Sequence, residues 1–221
     1  MRRGRLSILR RAALIPPIIV EELKKIIVPG ISELQVAKYI KKRIKQLGGK
    51  KPSFRVIVAS GHRSVKWHGF ASKKKIKKGE LVMLDFGVIL GGYRSDYTRT
   101  FVIGKPNQKQ KCMLKEVKIA QTKAIAKVKA GVPCSEVDAA ARNYLKKKKL
   151  AKYFGHTTGH GIGRKTHEAP KVSGDNNNKL KAGMVITIEP GVYIKGIGGV
   201  RIEDMVLVKK NGCEILTRLK Q

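Results

Sequence analysis

Residues 76–88 read IKKGELVMLDFGV and residues 180–192 read LKAGMVITIEPGV. In each, a glycine stands six positions before a carboxylate, an apolar run of strand type lies between, and a second glycine follows two positions later: Gly79, Asp85 and Gly87 against Gly183, Glu189 and Gly191. Upstream lies a weaker echo, PGISELQVA (29–37) and AGVPCSEVDAA (130–140), each opening an amphipathic stretch with Ser32 or Ser135 placed to cap a helix. The chain therefore divides into two related units, about 1–105 and 106–221. The pattern predicts helices near 5–26, 32–47, 108–130 and 135–149, with Pro16-Pro17 kinking or delaying the first. Strands are expected near 54–59, 81–90, 94–103, 184–194, 200–208 and 213–217. Helices followed by strands in each half give an α+β fold, with helices backing a curved, mostly antiparallel sheet.

The echo also pairs carboxylates. Gly91-Gly92 supplies a hairpin turn between Asp85 and Asp96, and the segment KGIGG separates Glu189 from Glu203. Each pair is expected cross-strand on its own hairpin, where like charges opposed are destabilising. Single strand acids are usually unremarkable, but these four come from only fifteen in the chain, and their neighbours Met83, Leu84, Ile186 and Ile188 are apolar. Lys or Arg partners are one way to neutralise them; divalent cations explain the set better, since carboxylates with one imidazole suit Mn²⁺, Fe²⁺, Co²⁺ or Zn²⁺.

An imidazole is available in TGHGIGRKTHEAP (158–170), which holds His160 and His167. Its glycines alternate strictly, so it is no GxGxxG fingerprint, and Lys171 stands where HExxH needs histidine. Alternating glycines are expected to let the backbone pass close to the metals that His160 would ligate.

Composition bounds the rest. With 221 residues and 42% hydrophobic content the chain can bury a core, and 49 Lys and Arg against 15 acids give a net charge of +34. Such a charge favours contact with polyanions, whereas scattered basic runs with 5% aromatic content also describe a solvated surface. Three cysteines without CxxC spacing suggest neither disulfides nor a thiolate metal site and fit a cytoplasmic location. The first 22 residues carry no signal-peptide pattern, and no apolar run reaches membrane-spanning length.

The segments VASGHRSVKWHG, LDFGVILGGYRSDYTRT, HTTGHGIGRKTHEAP, TIEPGVY and GGVRIEDMVLV, in this order, resemble the catalytic domain of the pita-bread metallopeptidases. That group contains methionine aminopeptidase, aminopeptidase P and Xaa-Pro dipeptidase. The resemblance covers nearly the whole chain and implies two metal ions, with manganese or cobalt foremost and iron or zinc as alternatives. Asp85 would bind one ion, Asp96 and Glu203 would bridge both, and His160 and Glu189 would bind the other. It further implies that His68 and His167 contact substrate and the tetrahedral intermediate, that a metal-bridging hydroxide attacks the scissile carbonyl, and that Glu189 relays the proton. His156 and Arg201 resemble substrate-site residues of the prolyl branch, closest to bacterial Xaa-Pro peptidases. Thr166 stands where typical bacterial methionine aminopeptidases have Phe, while Trp67 and Arg164-Lys165 depart from the prolyl pattern.

The implied molecule is one catalytic domain over residues 1–221 without a separate N-terminal domain. It would hydrolyse the N-terminal bond of peptides, Xaa-Pro bonds foremost. Removal of initiator methionine is the alternative, and a non-catalytic module binding nucleic acid or the ribosome is the reading of another class. Expected partners are a peptide substrate, a second copy of the chain and, through its charge, a polyanion or ribosome, with no membrane.

Overall fold

The computed structural model describes residues 2–219. Helices α1 (Arg2–Ile26) and α2 (Glu33–Gln46) open the first half, and α3 (Gln108–Lys127) and α4 (Cys134–Lys147) open the second. The first half carries strands β1 (Lys51–Pro52), β2 (Ile57–Ser60), β3 (Leu81–Asp85), β4 (Val88–Leu90), β5 (Tyr93–Arg94) and β6 (Thr98–Val102). The second carries β7 (Gly159–Gly161), β8 (Glu168–Val172), β9 (Val185–Ile188), β10 (Gly191–Ile194), β11 (Gly198–Arg201), β12 (Asp204–Lys209) and β13 (Gly212–Ile215). Every strand pairing is antiparallel, in the orders β1-β4-β5, β2-β3-β6, β10-β11 and β13-β12-β9-β7-β8.

The echoed residues occupy equivalent places. Gly79 and Gly183 both take positive φ, at 83° and 89°, where a side chain would be strained. Each N–H donates back across its sheet, Gly79 to Ile103 O at 2.7 Å and Gly183 to Val208 O at 2.9 Å. Gly30 and Gly131 match in the same way, donating to Ile76 O and Leu180 O at 2.8 Å each. The duplication thus reaches individual hydrogen bonds.

The central strands follow the period-2 rule. In β3, Val82 and Leu84 enter the core beneath α1 and α2, while Met83 faces the other side. In β9, Ile186 and Ile188 enter the core beneath α3 and α4, while Val185 packs on the opposite face. Burying one such side chain contributes about 1.5–3 kcal/mol, so these strands anchor both layers. Helix α1 serves both halves: Ile15, Ile19 and Leu23 join the first core, whereas Leu9 and Ala13 pack on Met205, Leu207 and Leu216.

Several expectations change. Both Pro16 and Pro17 lie inside α1, which runs on past them. Ser32 caps α2 and completes a capping box with Gln35. Ser135 does not cap α4, because Pro133, with φ −63° and ψ 145°, starts that helix earlier; Ser135 Oγ instead donates to Asn177 Oδ1 at 2.8 Å. The long strands expected at 81–90, 94–103, 184–194 and 200–208 are each interrupted, at Phe86-Gly87, Ser95–Tyr97, Glu189-Pro190 and Ile202-Glu203. Each interruption contains or adjoins one of the four paired acids. All three cysteines are free thiols, and among the described residues no helix is long and apolar enough to cross a membrane.

Candidate metal centre

The interruptions aim the acids. Asp85 ends β3, Asp96 lies between β5 and β6, Glu189 follows β9, and Glu203 lies between β11 and β12. Where the backbone leaves the ladder, successive side chains need not alternate between faces, and all four carboxylates line one cleft of about 710 Å³. The halves meet there through an isolated bridge between Thr98 and Glu203, whose N–H donates to Thr98 O at 3.1 Å. Thr98 Oγ1 then donates to Glu203 Oε2 at 2.7 Å.

Register corrects one expected pair and supports the other. Gly91 and Gly92 form the hairpin turn, with φ of 53° and 80°, so Leu90 faces Tyr93 and Asp85 lies opposite Thr98. Asp96 is therefore diagonal to Asp85, because the turn is centred between the two glycines. Glu189 and Glu203 do lie across from one another, flanked by the pairs Ile188–Asp204 and Gly191–Arg201.

His160, on β7, completes the cluster. Its Nδ1 lies 3.0 Å from Gly161 O, so Nδ1–H donates there and Nε2 keeps its lone pair. That nitrogen lies 3.4 Å from Glu189 Oε1 and 3.8 Å from Asp96 Oδ2. Burial pushes the His160 imidazole below its ordinary value, which favours the neutral ring. A lone pair facing carboxylate oxygens is repulsive unless a cation lies among them. Burial pushes the Asp96 carboxyl well up, and Asp85 adds to the effect; burial likewise raises Glu203, with Asp96 adding to it. The Glu189 carboxyl is pushed up to about 7, again chiefly by burial.

Three carboxylate oxygens, Asp85 Oδ1, Asp96 Oδ1 and Glu203 Oε1, are buried without a hydrogen-bond partner. Orphaned acceptors of this kind are rare because each costs about 1–3 kcal/mol. Asp96, His160 and Glu203 each offer an atom within 4.8 Å of the others'. The residues fit divalent cations: oxygen-rich, with one neutral nitrogen and negative charge that nothing else in the cluster offsets completely. Arg201 does offset part of it, since its buried guanidinium donates to Asp85 Oδ2 and, at 2.7 Å, to Tyr193 OH. A cationic partner, one of the two expected ways to neutralise the acids, is thus present for Asp85.

The other expected residues also gather here. His68 and His167 line the cleft from opposite halves, and the His167 ring meets His160 edge to face at 4.3 Å between centroids. Burial lowers the His167 imidazole, with His160 adding to it. His156 is pushed down to about 4 by burial, and its Nε2 lies 2.8 Å from Tyr193 OH. The glycines on either side of His160 have another purpose than the one expected. A Cβ on Gly159 would lie 1.9 Å from Thr187 O, and one on Gly161 would lie 2.2 Å from Ala169 O, so they allow close strand packing. Thr187 then serves the site through its hydroxyl, which accepts from His160 N–H at 3.1 Å and donates to Glu189 Oε1 at 3.3 Å.

Three further residues had no role in the sequence reading: Thr98, Tyr193 and Thr187. Tyr193 and Thr98 stand in the segments TIEPGVY and RSDYTRT, where adjacency to an acid was the available signal.

Residues 7–210 match the model of the metallopeptidase family M24. The chain belongs to that family. The Xaa-Pro dipeptidase of Pyrococcus horikoshii is 46% identical over 195 residues, which are 88% of this chain and 56% of the relative. Prolidase from Pyrococcus furiosus superposes with a TM-score of 0.96 at 42% identity, over 99% of this chain and 65% of that one. X-Pro aminopeptidase from Thermotoga maritima gives 0.95 at 37% identity, over 99% and 62%. The fold is the pita-bread fold of those M24 enzymes, and the chain spans a little over half the length of the curated relatives it matches.

Proposed function

We propose that this chain acts as a metal-dependent exopeptidase that cleaves the N-terminal bond of short peptides, with Xaa-Pro bonds preferred. The observation that carries the reading is the set of three unpartnered buried carboxylate oxygens, on Asp85, Asp96 and Glu203, in a cluster where His160 Nε2 faces the carboxylates of Asp96 and Glu189. The prolyl preference is supported by likeness to Xaa-Pro dipeptidases and by the apolar wall of Phe54, Ile57 and Phe70, which suits a pyrrolidine ring.

Asp85, Asp96, His160, Glu189 and Glu203 would hold two divalent ions. Such ions supply Lewis acidity toward a carbonyl oxygen and lower the pKa of water toward neutrality. The chain's own groups do the rest. His68 and His167 offer N–H donors where negative charge grows on the scissile carbonyl oxygen. Glu189, within reach of both the cleft and His160, carries a proton toward the departing amine. Arg201 and Tyr193 fix Asp85 and His156 in place, and Thr98 and Thr187 hold Glu203 and Glu189. The domain is read as one unit over residues 1–221, and the free thiols suit a reducing cytoplasm.

Initial rates on Ala-Pro, Ala-Pro-Ala and Met-Ala-Ser, with manganese or cobalt, test the reading. The expected result is cleavage of a prolyl substrate and its loss in Asp96→Ala and His160→Ala. Cleavage of Met-Ala-Ser alone would assign initiator-methionine removal instead. Absence of any metal-dependent cleavage would favour a binding module, for which the surface charge offers one observation: of the fifteen acids only Glu21, Glu136 and Asp175 are exposed.

A further inference from the structure

Two exposed cations that line the cleft, Arg55 and Lys171, have no place in the roles above, and of these Lys171 already faces Asp175 at 3.8 Å. Arg55 is exposed and lines the cleft, with its guanidinium carbon 4.2 Å above the centre of the Phe70 ring. Stacking on an aromatic face fixes the plane of the guanidinium and leaves its N–H edge open. Among the described residues no carboxylate forms an ion pair with Arg55 and no acceptor takes its side-chain donors. The other arginines about the cleft are committed. Arg201 is held by Asp85 and Tyr193, and Arg94 donates to Ser53 O and, at 3.1 Å, to Arg164 O. Arg63, behind Phe70, binds Glu33 at 3.0 Å and Phe70 O at 2.7 Å.

Position matters as much as freedom. Arg55 stands two residues before Ile57, whose partner across the ladder is Asp85 and which also bridges to Phe70. Two residues of chain span at most about 7 Å. An extended peptide whose reacting bond lies at the acid cluster therefore brings the next one or two residues beside Arg55. With the reacting bond at the acid cluster, a negative group one or two residues away on the peptide lies at the rim, within reach of Arg55.

We propose that Arg55 is a specificity-determining residue that binds a carboxylate of the peptide close to the reacting bond. Two groups offer this chemistry: the C-terminal carboxylate of a dipeptide, and an acidic side chain beside the bond. Both take the open guanidinium edge through paired N–H···O bonds. The inference rests on the peptide-cleaving reading, and it selects short anionic peptides over neutral or longer ones. Because Arg55 is exposed, the contact is worth about two- to fivefold in affinity rather than the larger factors of buried pairs.

Titration calorimetry on the full chain separates the two sources and needs no turnover. Ala-Pro is compared with Ala-Pro amide, and Glu-Pro with Gln-Pro. In the wild type the carboxylate member of at least one pair should bind about two- to fivefold tighter. Arg55→Gln should abolish that difference, and Arg55→Lys, which keeps the charge but not the paired geometry, should restore only part of it. Equal binding within both pairs, or a difference that survives Arg55→Gln, overturns the proposal. Rates on the same peptides with manganese separate it from the hydrolytic reading. Arg55-dependent binding without cleavage sinks hydrolysis alone, and cleavage indifferent to the carboxylates sinks the Arg55 contact alone.

Discussion

Replacing Asp96 by Asn should stabilise the protein in chelator and destabilise it in metal. Asp96 is 4% exposed, one of its oxygens has no partner, and burial with Asp85 nearby pushes its carboxyl well up. At pH 7 the folded chain must either hold this charge or take up a proton. Full protonation from the ordinary value of 3.8 costs about 4 kcal/mol at pH 7. An orphaned acceptor alone costs about 1–3 kcal/mol. Asn avoids both and can donate to the carboxylates beside it, so a gain of about 2 kcal/mol is expected. For a chain of this size that is a rise of about 6 °C in Tm.

The sign with pH follows from the raised value. A carboxyl whose folded pKa lies above its unfolded one favours folding below the unfolded value, and that contribution is lost as pH rises through the folded one. The advantage of Asn should therefore vanish below pH 3.8 and grow as pH rises above it. With manganese at about 100 times Kd, the wild type should gain about 2.7 kcal/mol and the variant much less. Thermal melts of both proteins, in EDTA and in manganese at several pH values, give the four numbers needed. If Asp96→Asn lowers Tm equally in chelator and in metal, the cluster is not a strained cation cradle and the reasoning fails.

Gly159→Ala should cost about 3 kcal/mol, or about 9 °C in Tm, because its Cβ would lie 1.9 Å from Thr187 O, whereas Gly4→Ala, with nothing within 4 Å, should be neutral or stabilising. Thr98→Val removes the hydroxyl that donates to Glu203, and calorimetric titration should show manganese affinity about tenfold weaker with little change in fold. Glu214, lowered to about 2 chiefly by its hydrogen bond from Arg10, contributes stability above its ordinary 4.5 that is lost as pH falls through about 2. Since the Glu214 side chain is 31% exposed, screening reduces this to about 1 kcal/mol. Glu214→Gln should thus lower Tm by about 3 °C at pH 7 and not at pH 2, and an equal loss at both would refute the pairing. Trp67 is the single tryptophan, 39% exposed at the cleft, so peptide binding should change its fluorescence, and an unchanged spectrum at saturation would place the peptide elsewhere.

The duplicated glycine and acid pattern was legible because backbone geometry imposes it: a positive-φ turn, a buried strand and a carboxylate at its end recur at fixed spacing in both halves. Helix extents followed from apolar periodicity to within a few residues. Periodicity carries no information about where a ladder is interrupted, so the strand breaks at the acids were not visible. Ser135 misled for a local reason, since Pro133 starts the helix before serine chemistry can act. The register of Asp85 and Asp96 turned on which glycine centres the hairpin, a matter of one residue that composition does not decide. Thr98 meets Glu203 across 105 positions of chain and Thr187 meets His160 across 27, and no local pattern names such distant partners.

Helix α1 has a consequence for how the molecule is made. Arg10 meets Glu214 across 204 positions of chain, and Leu9 packs on Leu216. The helix can form as soon as it is synthesised, but the surface that covers Leu9 and Ala13 is completed only with Leu216, just after β13. At synthesis rates of about 5–20 residues per second the exposed face of α1 waits roughly 10–40 s for its partner. Helix α1 is thus made well before the surface that seals it, and its apolar face needs protection during that interval.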